Sequence, residues 1–323
     1  MLWPNALRCL TALGVEDAVR EGATPLTGTV ISNAAGRRMS QLVLDPGADR
    51  PLGLVRSHLI DALAGALGPG VLRLGDEVTD LEGVDADLLV GADGVRSGVR
   101  RSIEPAVRPV YRGYTVWRAL LPVDAAVFGG GHELVETWGV GMRFGVVPVG
   151  PGLTYLYAAA PAPEGEVIDD ELPGLLERFG DWRAPIPDLL ARLASDGQVL
   201  RHDIYDLPPG RTRLHDGRRV LVGDAAHAME PNVGQGAGLA LEDAVVLDRA
   251  LATQPSVAAA LETYATARGP RVAALARQSR QIGRLAQLRR PSVVGLRDLA
   301  MQFTPDRLGA RATSGAIGWR PPS

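Results

Sequence analysis

The chain has 323 residues, 46% hydrophobic and 22% charged, with a formal net charge of −3 and a sequence pI near 6.0. That composition is ordinary for a globular protein with a large core or two closely joined domains, and it offers no electrostatic footprint for nucleic acid. No apolar run approaches the roughly 18 residues that would span a bilayer. No basic-then-apolar leader opens the sequence, and Cys9 is its only cysteine, which excludes internal disulfides and cysteine metal clusters. A cytoplasmic protein without membrane or nucleic-acid partners is expected, its oligomeric state left open. All 34 basic residues are arginine, so a P-loop lysine, a Schiff-base lysine and a Ser–Lys pair are excluded together.

In chain order, Leu7, Leu10, Leu13 and Val19 recur at helical spacing and predict a helix over 4–22, punctuated by Gly14 and Gly22. Residues 24–54 read as short strands broken by Gly36, Pro46, Gly47 and Pro51. Leu54 to Leu67 returns to helix, with Leu59, Leu63 and Leu67 on one stripe. Val71 to Leu74 and Leu88 to Val90 are strand-like, the second a continuous apolar run of the kind a buried parallel strand carries. Residues 110–160, rich in Tyr, Trp and Val with alternating patches, predict an antiparallel sheet. Helices follow near 169–179 and 186–195. Arg219 to Gly223 is a second buried strand, leading into a helix from about Gly236 to Leu251. On that helix Ala240, Ala244, Leu247 and Leu251 form the expected buried stripe, with Glu242 and Asp243 facing elsewhere. Residues 256–288 continue helically, and the tail from Arg311 reads as loosely ordered.

The strongest chemical signal is the segment from Arg219 to Ala244, containing Gly223-Asp-Ala-Ala-His227 and Pro231-Asn-Val-Gly-Gln-Gly236. A hydrophobic strand ending at Gly223 sets Asp224 at its carboxyl edge, where open α/β sheets bind ligands. Asp224 is then placed to accept hydrogen bonds from ligand hydroxyls. Pro231 and Gly234 shape a turn, and Gly236 and Gly238 would let backbone approach a flat ligand. The helix opening near Gly236 points free N–H groups and its positive end at that ligand. A second segment, Asp87-Leu-Leu-Val-Gly-Ala-Asp-Gly-Val-Arg-Ser-Gly-Val-Arg100, repeats the design: Asp93 falls just past a strand, and Ser97 and Arg100 can bind phosphate or one another.

These two segments, in this order and about 130 residues apart, resemble the DG and GD motifs of the class A FAD-dependent monooxygenases, the aromatic-hydroxylase-like flavoenzymes. The resemblance implies FAD contacts at Arg56, Asp93, Gly94, Gly223, Asp224, Pro231, Gly234, Gln235, Gly236 and Ala237. Arg56 matches a family arginine that opens a helix beside the FAD phosphates, although a solvated residue at a helix start fits it too. NAD(P)H is implied as a transient reductant, with O₂ forming a flavin C4a-hydroperoxide that hydroxylates or epoxidises a small aromatic or olefinic substrate. Tyr114, Trp117 and Arg118 are the substrate-facing candidates, with Tyr114 and Arg118 taken as catalytic; a sheet core containing those aromatics is the competing reading. His227 reads as packing within the motif, and scattered histidines give no metal site. Arg268, Arg271, Arg277, Arg280, Arg284, Arg289, Arg290 and Arg297 form a basic stretch, read as a solvated or subunit-facing helix.

The expected fold class is therefore α/β: an FAD-binding Rossmann-like domain interrupted by a mainly antiparallel substrate domain, with C-terminal helices. The FAD-binding part is assigned to 1–107 and 198–265, and the substrate part to 108–197, with strands from 24–55 able to join it. C-terminal helices and tail occupy 266–323. The family's opening strand, Gly-x-Gly-x-x-Gly turn and helix are missing before Met1, as is a β-hairpin usual at Asp76 to Asp87. Two expectations follow: the start lies inside a longer active protein, or the chain is a decayed or specialised remnant that holds FAD weakly. Trp182-Arg-Ala-Pro-Ile-Pro187 resembles a flavin-halogenase Trp-x-Trp-x-Ile-Pro, but lacks the second Trp, and the chain lacks the halogenase lysine.

Overall fold

The computed structural model describes residues 1–44, 49–128, 131–196, 198–304 and 314–322. Pro4–Ala12 (α1) starts on a proline, whose missing N–H is unused in a first helical turn. Gly14 at φ +71 ends that helix, so Glu16–Arg20 (α2) stands apart and the helix expected over 4–22 is two. Short strands follow at Thr24–Pro25 (β1), Gly28–Asn33 (β2), Arg38–Val43 (β3) and Leu52–Gly53 (β4), then the helix Arg56–Gly65 (α3). Pro46 and Gly47 lie outside the described residues. Val71, Leu72 and Leu74 are exposed and form no strand, because no described segment runs beside them to supply a ladder. Leu89–Gly91 (β5) and Gly98–Ile103 (α4) come next.

Four long strands then form: Val110–Leu121 (β6), Glu133–Trp138 (β7), Arg143–Gly150 (β8) and Leu153–Ala160 (β9). Leu172–Phe179 (α5) and Ile186–Asp196 (α6) follow, then Leu200–Asp206 (β10) and Arg219–Leu221 (β11). A single turn, Asp224–His227 (α7), precedes Gly236–Thr253 (α8), Val257–Ala286 (α9) and Pro291–Phe303 (α10).

The principal sheet has seven strands in the order β10-β6-β9-β8-β7-β2-β3. All neighbours are antiparallel except β2 and β7, which pair in parallel through Gly28↔Glu133 to Asn33↔Trp138. That one parallel pair joins residues about 100 apart in sequence, which alternation alone does not announce.

Period-two geometry sorts the sheet's side chains onto two faces. On one, Trp117, Ala119, Leu121, Phe144, Val146, Leu156 and Ala158 pack against Leu175, Phe179, Leu189 and Leu193 of α5 and α6. The other face, from Val116, Arg118, Tyr155, Tyr157, Val147, Glu136, Thr29 and Leu42, borders a cavity. Trp117 is thus turned away from that cavity, its indole N–H donating to Glu171 Oε2 at 2.7 Å.

A separate parallel pair, β11 with β5, carries the two motif turns at its carboxyl end. Beside it α8 packs between α1 and α9, with contacts to both. Burial on α8 differs from the expected stripe. Leu247 is buried, but Ala244 and Leu251 are exposed, whereas Glu242 and Asp243 are fully buried. The basic stretch is likewise not a solvated face throughout: Arg268 and Arg297 are buried, and Arg280 pairs with Asp206 at 2.8 Å.

The α5–α6 layer supports the back of the sheet through Phe179, which is fully buried and edge-on to both Phe144 and Trp182. Phe179→Ala is expected to cost about 3–5 kcal/mol. Urea unfolding followed by circular dichroism checks this; an unchanged midpoint would show the layer is dispensable.

Candidate active site

The cavity is about 930 Å³ and mostly apolar. Its floor is the sheet face described above. Pro231, Asn232, Val233, Gly234 and Gln235 close one side, and Ile282, Leu285 and Met301 of the C-terminal helices another. The sequence-expected residues Arg56, Arg118, Pro231, Gly234 and Gln235 all line it.

The loop geometry depends on glycine at two points. Gly234 adopts φ +62, and a Cβ there would sit 3.1 Å from Trp3 Nε1 and 3.3 Å from Met1 Cε. Gly223, at φ +58, lies where a Cβ would approach that of Ala240 at 3.2 Å, so strand β11 turns tightly over α8. Gly238 has a different task from close ligand approach: a Cβ there would meet Asn5 and Ala6, so it seats α1 against α8.

Helix α8 opens without a side-chain cap, and its first backbone acceptor within the helix serves Leu239. The N–H groups of Gly236 and Ala237 stay available at the helix's positive end, Gly236 half-buried and Ala237 exposed. Asp224 is exposed at the carboxyl end of β11 and makes no hydrogen bond among the described residues. The Trp3 indole N–H, buried on the cavity wall, is also without an acceptor. Asp224, Gly236 and Ala237 are not themselves part of the lining, but the uncapped helix start follows directly on Gln235 of the wall, and with the unmatched Trp3 donor this fits a flat, hydrogen-bonding cofactor.

The DG segment is arranged differently from its expected phosphate role. Asp93 accepts from the N–H groups of Gly98 at 2.7 Å and Val99 at 3.2 Å, which orders the start of α4. Burial would raise its carboxyl, but these bonds and Ser97 hold it below the usual range. Gly94 supplies the φ +77 turn between them. Arg100 is fully buried, donating to Ala225 O at 2.8 Å and Val95 O at 2.5 Å, and so ties the two motif turns together instead of reaching solvent.

Beneath the loop lies a buried ionic cluster that sequence reading missed. Asp243 accepts from Gly223 N–H at 2.8 Å, and its Oδ2 lies 2.6 Å from His227 Nε2. Its other oxygen takes Arg268 Nε at 2.7 Å. Arg268 also donates to Glu242 at 2.6 Å, and Arg271 adds two bonds to Glu242 at the same distance. Asn5 bridges Glu242 at 2.7 Å and Gln235 at 2.9 Å. His227 therefore does have a partner. The available signal was the pair of adjacent acids in α8 followed by arginines at 268 and 271.

A second polar group sits on the cavity wall. Arg143 donates to Asn232 at 2.6 Å and lies 3.4 Å from Glu136, which also accepts from Tyr157 at 2.9 Å and Trp138 at 2.7 Å. Gly145 makes room for this, since a Cβ there would fall 2.0 Å from the Tyr157 ring. Tyr114 is buried just beyond, outside the lining, donating to Glu230 at 3.0 Å. Burial holds the Tyr114, Tyr155 and Tyr157 phenols above their ordinary range, so all three remain protonated.

A family model described as an FAD binding domain matches residues 208–279, the stretch holding the Gly223 and Gly234 turns and the ionic cluster. The aurachin C monooxygenase/isomerase of Stigmatella aurantiaca is 38% identical, covering 95% of this chain and 84% of that protein. The chain belongs to the class A FAD-dependent monooxygenases. Also similar is the FAD-dependent urate hydroxylase of Klebsiella pneumoniae, 33% identical over 87% of this chain and 78% of its own length. The solved structure of Klebsiella pneumoniae HpxO complexed with FAD and uric acid superposes with a TM-score of 0.85 at 28% identity, covering 98% of this chain and 86% of that one. FAD is the cofactor of this monooxygenase, and a decayed remnant is the disfavoured reading.

Burial raises the Asp243 carboxyl, but His227, Arg268 and the Gly223 N–H more than offset this and leave it below the usual carboxylate range. A depressed carboxyl contributes stability that is complete above its unfolded value and lost as pH falls through its folded value. Wild-type stability is expected to fall below roughly pH 5 more steeply than that of Asp243→Asn. At neutral pH, Asp243→Ala should cost about 3–5 kcal/mol by stranding Arg268. Denaturant titrations at a series of pH values check both, and parallel pH profiles would show the carboxylate is not ionically coupled.

Proposed function

We propose that this monooxygenase hydroxylates an aromatic ring lying between the cavity face of the seven-stranded sheet and the Pro231–Gln235 turn, using O₂ and NAD(P)H. The observation that carries it is the position of the cavity: alternate residues of the sheet form one wall, and the uncapped start of α8 adjoins the other. Reduced by NAD(P)H, bound FAD supplies the activation of O₂.

The protein's own part is positioning and exclusion of water. The Gly236 and Ala237 amides would face the electron-rich edge of the ring system, and Asp224 would accept from the ribityl hydroxyls. Gly223, Pro231, Gly234 and Gln235 would shape the contact surface, while Arg56 would meet phosphate. Asp93 and Gly94 would support the phosphate side through the turn they order. Val116, Leu134, Val147 and Ile282 keep the chamber apolar, which strengthens each polar contact inside it. Arg143, whose buried Nε has no partner among the described residues, offers a donor to a substrate's ring oxygens, and Arg118 faces the same space.

A urate hydroxylase and 3-amino-4-hydroxybenzoate 2-monooxygenase stand among the relatives, so compact oxygenated arenes are reasonable first substrates. Aurachin C monooxygenase/isomerase and 2-heptyl-3-hydroxy-4(1H)-quinolone synthase extend the panel to larger heteroaromatics. The halogenase reading gains no support: Trp182 packs on Phe179 on the sheet face opposite the cavity.

After reconstitution the protein should be yellow and oxidise NADH or NADPH faster in the presence of its substrate. With ¹⁸O₂ the product should carry one labelled atom. Protein that stays colourless after reconstitution, or a panel of these arenes yielding only hydrogen peroxide, would overturn the proposal.

A further inference from the structure

Helix α10 is polarised in the opposite sense to a helix that meets only water. Its charges face the protein: Arg297 is buried, stacks over Trp138 at 5.3 Å and donates to Gly139 O at 3.3 Å. Asp298 is half-buried, 2.7 Å from Arg297, and accepts from the Asn33 amide at 3.3 Å. The outward side carries Val293, Leu296, Leu299, Ala300 and Phe303, with Leu296 66% and Phe303 79% exposed. At i+3, i+4 and i+7 spacing these form one apolar stripe along the helix. The other exposed positions, Pro291, Ser292 and Gly295, are uncharged as well, so no charge interrupts the face.

An apolar stripe of this kind marks a surface that something covers, and the charges around it indicate what. From Arg284 to Thr304 there are four arginines and one acid, and that acid, Asp298, is engaged by Arg297 and Asn33. Arg284, Arg289 and Arg290 are exposed ahead of the helix, and Arg37 and Arg38 are exposed at the β2–β3 turn that Asn33 ties to α10. The chain as a whole carries −3, so this cationic border is local.

A two-fold contact with a second copy would set the same arginines against one another. An anionic bilayer answers both features, taking the stripe into the boundary between headgroups and acyl chains and the guanidiniums at the phosphates. No helix among the described residues is long and apolar enough to cross a membrane, and a helix lying in the interface does not need to. The cavity adjoins this face: Leu285 and Met301 both line it, and Leu285 is also 51% exposed. A protein seated on the stripe would cover that side of the cavity, whereas a bilayer would present apolar solutes to it.

We propose that α10 lies on the surface of an anionic lipid bilayer, with Leu296, Leu299 and Phe303 inserted and Arg284, Arg289 and Arg290 at the headgroups. This docking surface goes beyond the aromatic-hydroxylase reading and does not depend on it.

Co-sedimentation of the full chain with vesicles tests this, using phosphatidylcholine alone and equimolar phosphatidylcholine and phosphatidylglycerol. Binding to the anionic vesicles should exceed binding to the neutral ones at least about tenfold and weaken with added salt. Leu296→Glu combined with Phe303→Glu should lower the anionic binding at least about tenfold. Arg289→Gln combined with Arg290→Gln should lower it about tenfold and remove most of the salt dependence. All four side chains are exposed, so circular dichroism should match the wild type in both variants.

No binding to the anionic vesicles would overturn the proposal and leave an acidic protein as the occupant of the stripe. Equal binding to both compositions, or undiminished binding by the Leu296→Glu, Phe303→Glu chain, would also overturn it. So would light scattering that shows a dimer split by those two substitutions, which would give the stripe to a second copy.

Discussion

The Asp243 carboxylate is the constraint on which the cofactor side of this protein depends. It holds the N–H of Gly223, the residue that turns β11 over α8, and it faces His227 and Arg268. Its neighbour Glu242 carries Arg268, Arg271 and, through Asn5, Gln235. Both ends of the motif loop, Gly223 and Gln235, are therefore tied to one buried cluster with two carboxylates and two guanidiniums. Trp319 stacks over both guanidiniums at 5.6 Å, so the C-terminal residues seal it. A cluster of this kind is poor evidence of net stability, since desolvation offsets most of the attraction, but it permits one loop geometry and penalises others.

The sheet does the complementary work. Its alternation supplies an apolar back against α5 and α6 and a mixed, mostly apolar front against the cavity. Because β2 and β3 join the far edge through a parallel pairing with β7, the front is wide enough to bound about 930 Å³. The two sides meet directly where Arg143 on β8 donates to Asn232 in the motif loop. Substrate wall and cofactor loop are thus joined through Arg143 to Asn232 and through the Tyr114 phenol to Glu230.

Much of this was legible in the sequence. Period-two stretches announced the strands between 110 and 160, and the two strand-turn segments announced the cofactor loops, because both signals are local. What was hidden depended on partners far along the chain. Glu242 and Asp243 read as facing away from the buried stripe because charged residues usually are exposed, and their burial depends on partners distant in sequence, chiefly Arg268 and Arg271 with His227 and Asn5. Ser97 and Arg100 read as binding phosphate or one another; the Arg100 backbone N–H does donate to Ser97, while its guanidinium is consumed by the Val95 and Ala225 carbonyls. Tyr114, Trp117 and Arg118 are all substrate-facing candidates in the sequence; adjacent strand residues face opposite sides, and of the three only Arg118 lines the cavity. Val71 to Leu74 had a strand's composition without a strand beside it.

Hydrogen exchange, read peptide by peptide, reports most directly on whether Asp243 fixes the cofactor loop. In Asp243→Asn, exchange should accelerate across residues 220–239 and stay unchanged across the sheet residues 110–160. Unaltered exchange over 220–239, or acceleration spread evenly through both segments, would contradict a loop held by that carboxylate.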